Sequence, residues 1–138
     1  MKKIIFIVFL NIFLSLVCFA NDTVKSKRFI ALGHLYPIIN DEKRLAHLFK
    51  KINSYKPDYV FILGDSKLNE IKYLNKFKDK IKGKIYFSPG NHETKKFKNE
   101  YKKNVGYLNK VIDDEHVRFI LLDSSDSKKN IINFLKDN

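Results

Sequence analysis

Apolar and polar positions alternate along the chain with two different periods. In "NDEKRLAHLFKKINSYKP", residues 40–57, the apolar side chains Leu45, Leu48, Phe49, Ile52 and Tyr55 recur at helical spacing. Acids occupy its first turn and Pro57 follows its end, so the stretch predicts a helix. In "KLNEIKYLNKFKDKIKG", residues 67–83, Leu68, Ile71, Leu74, Phe77 and Ile81 share one face and Gly83 supplies the stop. Around these lie three short apolar runs, "RFIALG", "DYVFILGD" and "KIYFSPGN", each closing on a glycine within a turn-forming group. They predict buried strands.

The order β-α-β-α-β implies parallel strands joined by right-handed crossovers, and hence an α/β class. Downstream, "ETKKFKNEYKKN" reads as a polar helix, "VRFILLD" as a fourth strand and "SKKNIINFLKDN" as a last helix. The expectation is a parallel sheet of about four strands with helices on both faces. No internal repeat, low-complexity tract or Pro/Gly linker points to a second domain.

Residues 1–20, "MKKIIFIVFLNIFLSLVCFA", set two lysines before an apolar stretch that ends in small residues, the pattern of a cleaved export signal. Asn11 and Ser15 interrupt the stretch, which falls short of the ~20 apolar residues of a comfortable span. A periplasmic or secreted protein without a stable membrane span is expected, with its domain over residues 28–138. Cleavage removes Lys2, Lys3 and no acid, lowering the net charge from +12 to +10, and takes away Cys18, the sole cysteine. The domain must then rely on its apolar core, and no thiolate is left to bind zinc.

Of the 27 basic residues only Arg28, Arg44 and Arg118 are arginine. Lysines scattered along helix faces, without arginine forks, describe a solvated surface and argue against a nucleic-acid partner. Attraction for anionic substrates or an anionic envelope surface is the remaining consequence of the charge.

Ligands of an open parallel sheet collect at the carboxyl ends of its strands. There the chain places Gly33-His34-Leu35-Tyr36, Gly64-Asp65-Ser66 and Gly90-Asn91-His92-Glu93. Carboxylate, amide oxygen and imidazole suit a hard or borderline divalent cation. Gly-Asp followed twenty-six residues later by Gly-Asn-His-Glu, each closing a strand, resembles the calcineurin-like metallophosphoesterase family. The family's signature runs Asp-x-His, Gly-Asp, Gly-Asn-His-Asp/Glu, and the resemblance covers the first half of its domain, that is, half of a metallophosphoesterase sandwich.

The resemblance implies hydrolysis of a phosphate ester by two divalent metal ions, with Mn, Fe or Zn all compatible. Asp65 then matches the carboxylate that bridges the ions, Asn91 an amide ligand, and His92 the imidazole that assists the leaving group. Glu93 matches the variable acid of the motif, with no catalytic role assigned. The first motif departs from the pattern. In the register that keeps the strand length and Gly33, His34 stands at the aspartate position and can still offer a nitrogen, while Tyr36 stands at the histidine position. Tyr36 is there either a weak ligand or a packing aromatic with its hydroxyl at the water's edge. The alternative register makes His34 the motif's histidine and leaves Leu32 at the aspartate.

The family's later histidine motifs find no match: His47 reads as a surface residue of the first helix, and His116 precedes the fourth strand at the end opposite the crevice. Asp123-Ser124-Ser125 reads as a turn and helix cap. Two readings follow. One is an exported metal-dependent phosphoesterase, alone or with a partner chain that supplies the missing half. The other is a non-catalytic remnant or binding module for anionic envelope components.

Overall fold

The computed structural model describes residues 26–115 and 117–138. Residues 1–20, read above as an export signal, and His116 lie outside them. Nine elements follow in order: β1 (Phe29–Leu32), α1 (Glu42–Ser54), β2 (Tyr59–Ile62), α2 (Ile71–Lys80), β3 (Lys84–Phe87), α3 (Asn91–Val105), β4 (Lys110–Asp114), β5 (Val117–Leu121) and α4 (Lys128–Lys136). Strands β1, β2 and β3 form a parallel sheet in that order, in the register Leu32, Ile62, Phe87 across the ladder. The α/β class holds.

Alternation along the strands divides the core in two. Ile30, Leu32, Val60, Ile62, Ile85 and Phe87 face the apolar stripes of the helices, where Leu45, Phe49 and Ile52 of α1, Leu74 and Phe77 of α2, and Tyr101 of α3 are buried. The opposite face presents Tyr59, Phe61 and Tyr86 to Phe119, Ile112 and Leu121. Phe119 packs at 4.8 Å from the Phe61 ring and 5.2 Å from that of Tyr59, centroid to centroid. Aromatic pairs at such distances add to simple area burial. The Tyr59 hydroxyl donates to Asp114 Oδ2, and Lys27 Nζ lies 3.2 Å from the same oxygen.

This second face differs from the expectation of helices on both faces. Among the described residues it is covered by a hairpin of β4 and β5, and "VRFILLD" joins that hairpin instead of extending the parallel sheet. The reason is connection length. Residues 115–116 alone separate β4 from β5, and so short a link allows only antiparallel pairing, whereas a parallel partner needs a crossover of a dozen residues or more. The strand "KVIDD" carries little apolar signal of its own, since polar residues flank Val111 and Ile112.

The second helix begins at Ile71, four residues later than its periodicity predicts. Leu68 is fully buried ahead of it, Ile71 is exposed, and Tyr73 takes an inward place. Lys67 has φ 53°, a left-handed conformation that no α-helix tolerates. The segment is drawn out of the helix by bonds to the candidate site.

Candidate functional site

Each of the three parallel strands delivers its glycine loop to the same edge. The chain leaves β2 through Gly64 and β3 through Gly90, and these residues touch. A Cβ on Gly64 would lie 2.1 Å from the Cα of Gly90, and one on Gly90 would lie 2.5 Å from Asp65 Oδ1. Only glycine at both positions lets the two backbones approach this closely. The β1 loop joins through backbone bonds, His34 N–H donating to the Gly64 carbonyl at 2.9 Å and Tyr36 N–H to that of Asp65 at 3.0 Å. The Leu35 N–H donates to Ser66 Oγ at 3.1 Å.

His34 and Asp65 adopt φ of 55° and 58°, a conformation that costs a non-glycine residue about 1–2 kcal/mol. Such backbone persists only where its surroundings hold it. Much of the holding is done by Glu93, 1% exposed in the first turn of α3. Its Oε2 accepts the N–H of Asp65 and of Gly90, both at 2.9 Å. Its Oε1 accepts the N–H of Ser66 at 2.9 Å and of Leu68 at 3.3 Å. One carboxylate thus satisfies four backbone donors from two loops, those of Ser66 and Leu68 buried and those of Asp65 and Gly90 partly so. It also explains why residues 67–70 are not helical.

The family motif assigns Glu93 no catalytic role and contains nothing of this clamp. A signal was present: an acid three residues after Gly90, the N-cap of α3, stands in the capping-box position. What could not be foreseen was that the same carboxylate also reaches the β2 loop.

Asp65 stands at the centre. Its Oδ1 accepts the backbone N–H of His92 at 3.2 Å, and its Oδ2 lies 3.6 Å from His34 Nδ1. The His34 side chain is 70% exposed and that of Asp65 22%. Asp65 and the exposed Asn91 line one open cleft of about 630 Å³ together with Ile120, Ser124 and Ser125. His92 instead lines an adjoining hollow with Tyr36, the two rings 6.0 Å apart. Tyr36 lies with its ring 5.0 Å from Lys67 Nζ and half exposed, the position of an aromatic at the water's edge.

The Asp-Ser-Ser loop braces the cleft. Asp123 is buried, and its Oδ1 accepts the N–H of Ser125 at 3.0 Å and its hydroxyl at 2.6 Å. Ser125 Oγ meets Thr94 Oγ1, which donates to the Gly90 carbonyl at 3.0 Å. This is the turn expected there, although the N-cap of α4 is Ser127. His47 is exposed on α1.

Among the described residues no group of three or more His, Cys, Asp or Glu side chains is disposed to share a metal ion. The donors at the strand ends are one imidazole, one carboxylate and one amide, a set that suits part of the shell of a single divalent ion.

A parallel sheet whose glycine loops converge on an aspartate, an asparagine and a histidine defines a phosphoesterase-like α/β domain. The calcineurin-like phosphoesterase family matches residues 19–136, and the chain belongs to that family. No curated protein and no solved structure matches it. Family membership carries phosphate esters as the substrate class and a habit of metal dependence. Among the described residues no helix is long and apolar enough to cross a membrane.

Proposed function

We propose that the chain is an exported, metal-dependent phosphoesterase whose reacting centre lies at the carboxyl ends of β1, β2 and β3. The observation that carries this reading is the position of Asp65. It is turned into a strained conformation, held there by Glu93, and faces His34 on one side and the Asn91 cleft on the other. Backbone strain of this kind clusters at ligand sites, and here a buried carboxylate holds it in place.

His34, Asp65 and Asn91 would hold a divalent ion, Mn, Fe or Zn. Such an ion, when bound, neutralises charge on the phosphoryl oxygens and acidifies the attacking water. The ring of His92, on the hollow beside the cleft, holds the proton that the departing alkoxide takes up. Asp65 Oδ1 fixes the His92 backbone, so the carboxylate sets the spacing between metal side and leaving-group side. Three donors fall short of two ions, and the two-metal form of the mechanism is proposed together with further ligands from another chain.

The test is hydrolysis of a generic aryl phosphate with added Mn or Zn, comparing the wild type with Asp65→Asn and Asn91→Ala. Loss of a direct ligand should lower the rate by about 100-fold or more, the upper range seen for ligand-supporting groups. Equal rates for all three proteins would dispose of the catalytic reading. The second reading, a non-catalytic module that binds anionic envelope components, is favoured by the lack of a three-residue metal cluster among the described residues. Mass spectrometry of the N-terminus after expression in a cell with an envelope tests export, with cleavage after Ala20 as the expected result.

A further inference from the structure

The hollow that receives His92 has its own chemistry. It measures about 220 Å³, and its lining includes Tyr36, Lys67, Glu70, His92, Glu93 and Phe97. Tyr36 and Phe97 are 52% and 42% exposed, large aromatic surfaces left open to water. Phe97 sits where α3 departs from helical geometry, with φ −127° and ψ 27°. Lys67, itself in a left-handed conformation, holds its ammonium 5.0 Å from the Tyr36 ring and 5.4 Å from that of Tyr73. Asn69 and Glu70 add polar residues to its surroundings, the Glu70 carboxylate pairing with Lys72 at 3.1 Å.

We propose that this hollow seats a flat aromatic ring carried on the leaving group of the phosphate ester. The inference rests on the reading of the strand-end cleft as a phosphoesterase site. Size supports it: a closed cavity of about 150 Å³ takes up benzene, so 220 Å³ suits one ring with its substituents. Position supports it as well. The Tyr36 N–H donates to the Asp65 carbonyl at 3.0 Å, and His92 N–H to Asp65 Oδ1 at 3.2 Å. Both walls of the hollow are thus tied to Asp65, and a phosphate held beside that residue has the hollow as a neighbouring space for its leaving group. Tyr36 and Phe97 both present exposed ring surface, and the Lys67 ammonium over the Tyr36 ring adds a cation that a planar π partner can meet where a saturated one of equal volume cannot.

The test is calorimetric titration of the full chain with phenyl phosphate, cyclohexyl phosphate and uridine 5′-monophosphate, repeated on Tyr36→Leu and Phe97→Leu. Phenyl and cyclohexyl esters share charge and approximate size but differ in flatness. About tenfold tighter binding of the phenyl ester is expected, as for one stacked ring. In both variants the preference should shrink towards unity with unchanged circular-dichroism melting. Tighter binding of the nucleotide than of phenyl phosphate assigns the ring to a nucleoside, spaced from phosphorus by the sugar; the reverse assigns it to an aryl alcohol. Equal affinity for flat and saturated esters, failure to bind either, or a preference that survives both substitutions would overturn the inference. Hydrolysis with Mn is read in parallel. Equal turnover of both esters without a binding preference refutes the ring site alone. A retained preference without any hydrolysis refutes the reading of this chain alone as a phosphoesterase and leaves the ring site standing.

Discussion

Replacing Glu93 by glutamine changes the shape of one buried side chain hardly at all and removes half of its acceptor capacity. The carboxylate accepts four backbone N–H groups, three from residues 65–68 and one from Gly90. A glutamine oxygen can keep the pair on one side. Its amide nitrogen must then point at the other pair, donor against donor, in a place from which water is excluded. Hydrogen bonds to a charged group contribute about 1.5–3 kcal/mol each, and a buried donor left without a partner costs about 1–3 kcal/mol. Some relaxation of the loops is inevitable, so a loss of about 4 kcal/mol is expected for the variant, out of the 5–15 kcal/mol typical of a domain. With a urea slope of about 2 kcal/mol/M, the midpoint should fall by about 2 M. Hydrogen exchange provides the local readout: the amides of Asp65 and Ser66 should lose protection before those of Val60 and Ile62 in the centre of the sheet. An unchanged urea midpoint, with Asp65 and Ser66 amides as protected as before, would refute the reasoning that a single carboxylate holds the loops together.

Two further outcomes follow from the same geometry. The Asp114 carboxyl is held well below the usual carboxylate range, chiefly because it accepts the Tyr59 hydroxyl, with the Glu115 N–H and Lys27 adding to this, while Tyr59 is pushed up to about 12 by its bond to Asp114. A lowered acid contributes stability above its unfolded pKa of about 3.9 that is lost as pH falls through the folded value; a raised phenol contributes stability below about 10 that is lost as pH rises through its folded value. Tyr59→Phe should therefore flatten both limbs of a stability-against-pH curve measured by chemical denaturation, and an alkaline limb identical to the wild type would count against the Tyr59–Asp114 bond. Gly64→Ala drives a methyl group into the Gly90 backbone and should lower the Tm by about 5 °C or more, consistent with an overpacking cost of about 1–3 kcal/mol. A melting curve superimposable on the wild type would mean that the loops part without cost.

Much of the scaffold is legible in the amino-acid sequence. Apolar spacing located β1, β2, β3 and α1, because helix and strand periods are local properties of the chain. The glycines at 33, 64 and 90 marked the strand ends, and strand polarity in a β-α-β series put those ends on one edge. His34, Asp65 and Asn91 could be singled out for the same reason. Other features depended on partners far away in sequence. The late start of α2 reflects a carboxylate twenty-five residues downstream of Leu68, and periodicity contains nothing of that bond. The covering of the second sheet face by β4 and β5 depends on an aromatic cluster drawn from both halves of the chain.

The amino-acid sequence by itself determined the α/β order, the family and the residue types that reach the crevice. Tertiary structure alone decided that Asp65 and Asn91 share one cleft while His92 turns to a neighbouring hollow. It alone decided that Glu93 locks two loops with four bonds. The physical reason is the range of the interactions. Backbone propensity and amphipathic spacing act over a few residues, whereas a buried carboxylate chooses its donors by proximity in space, after the sheet has brought distant loops together.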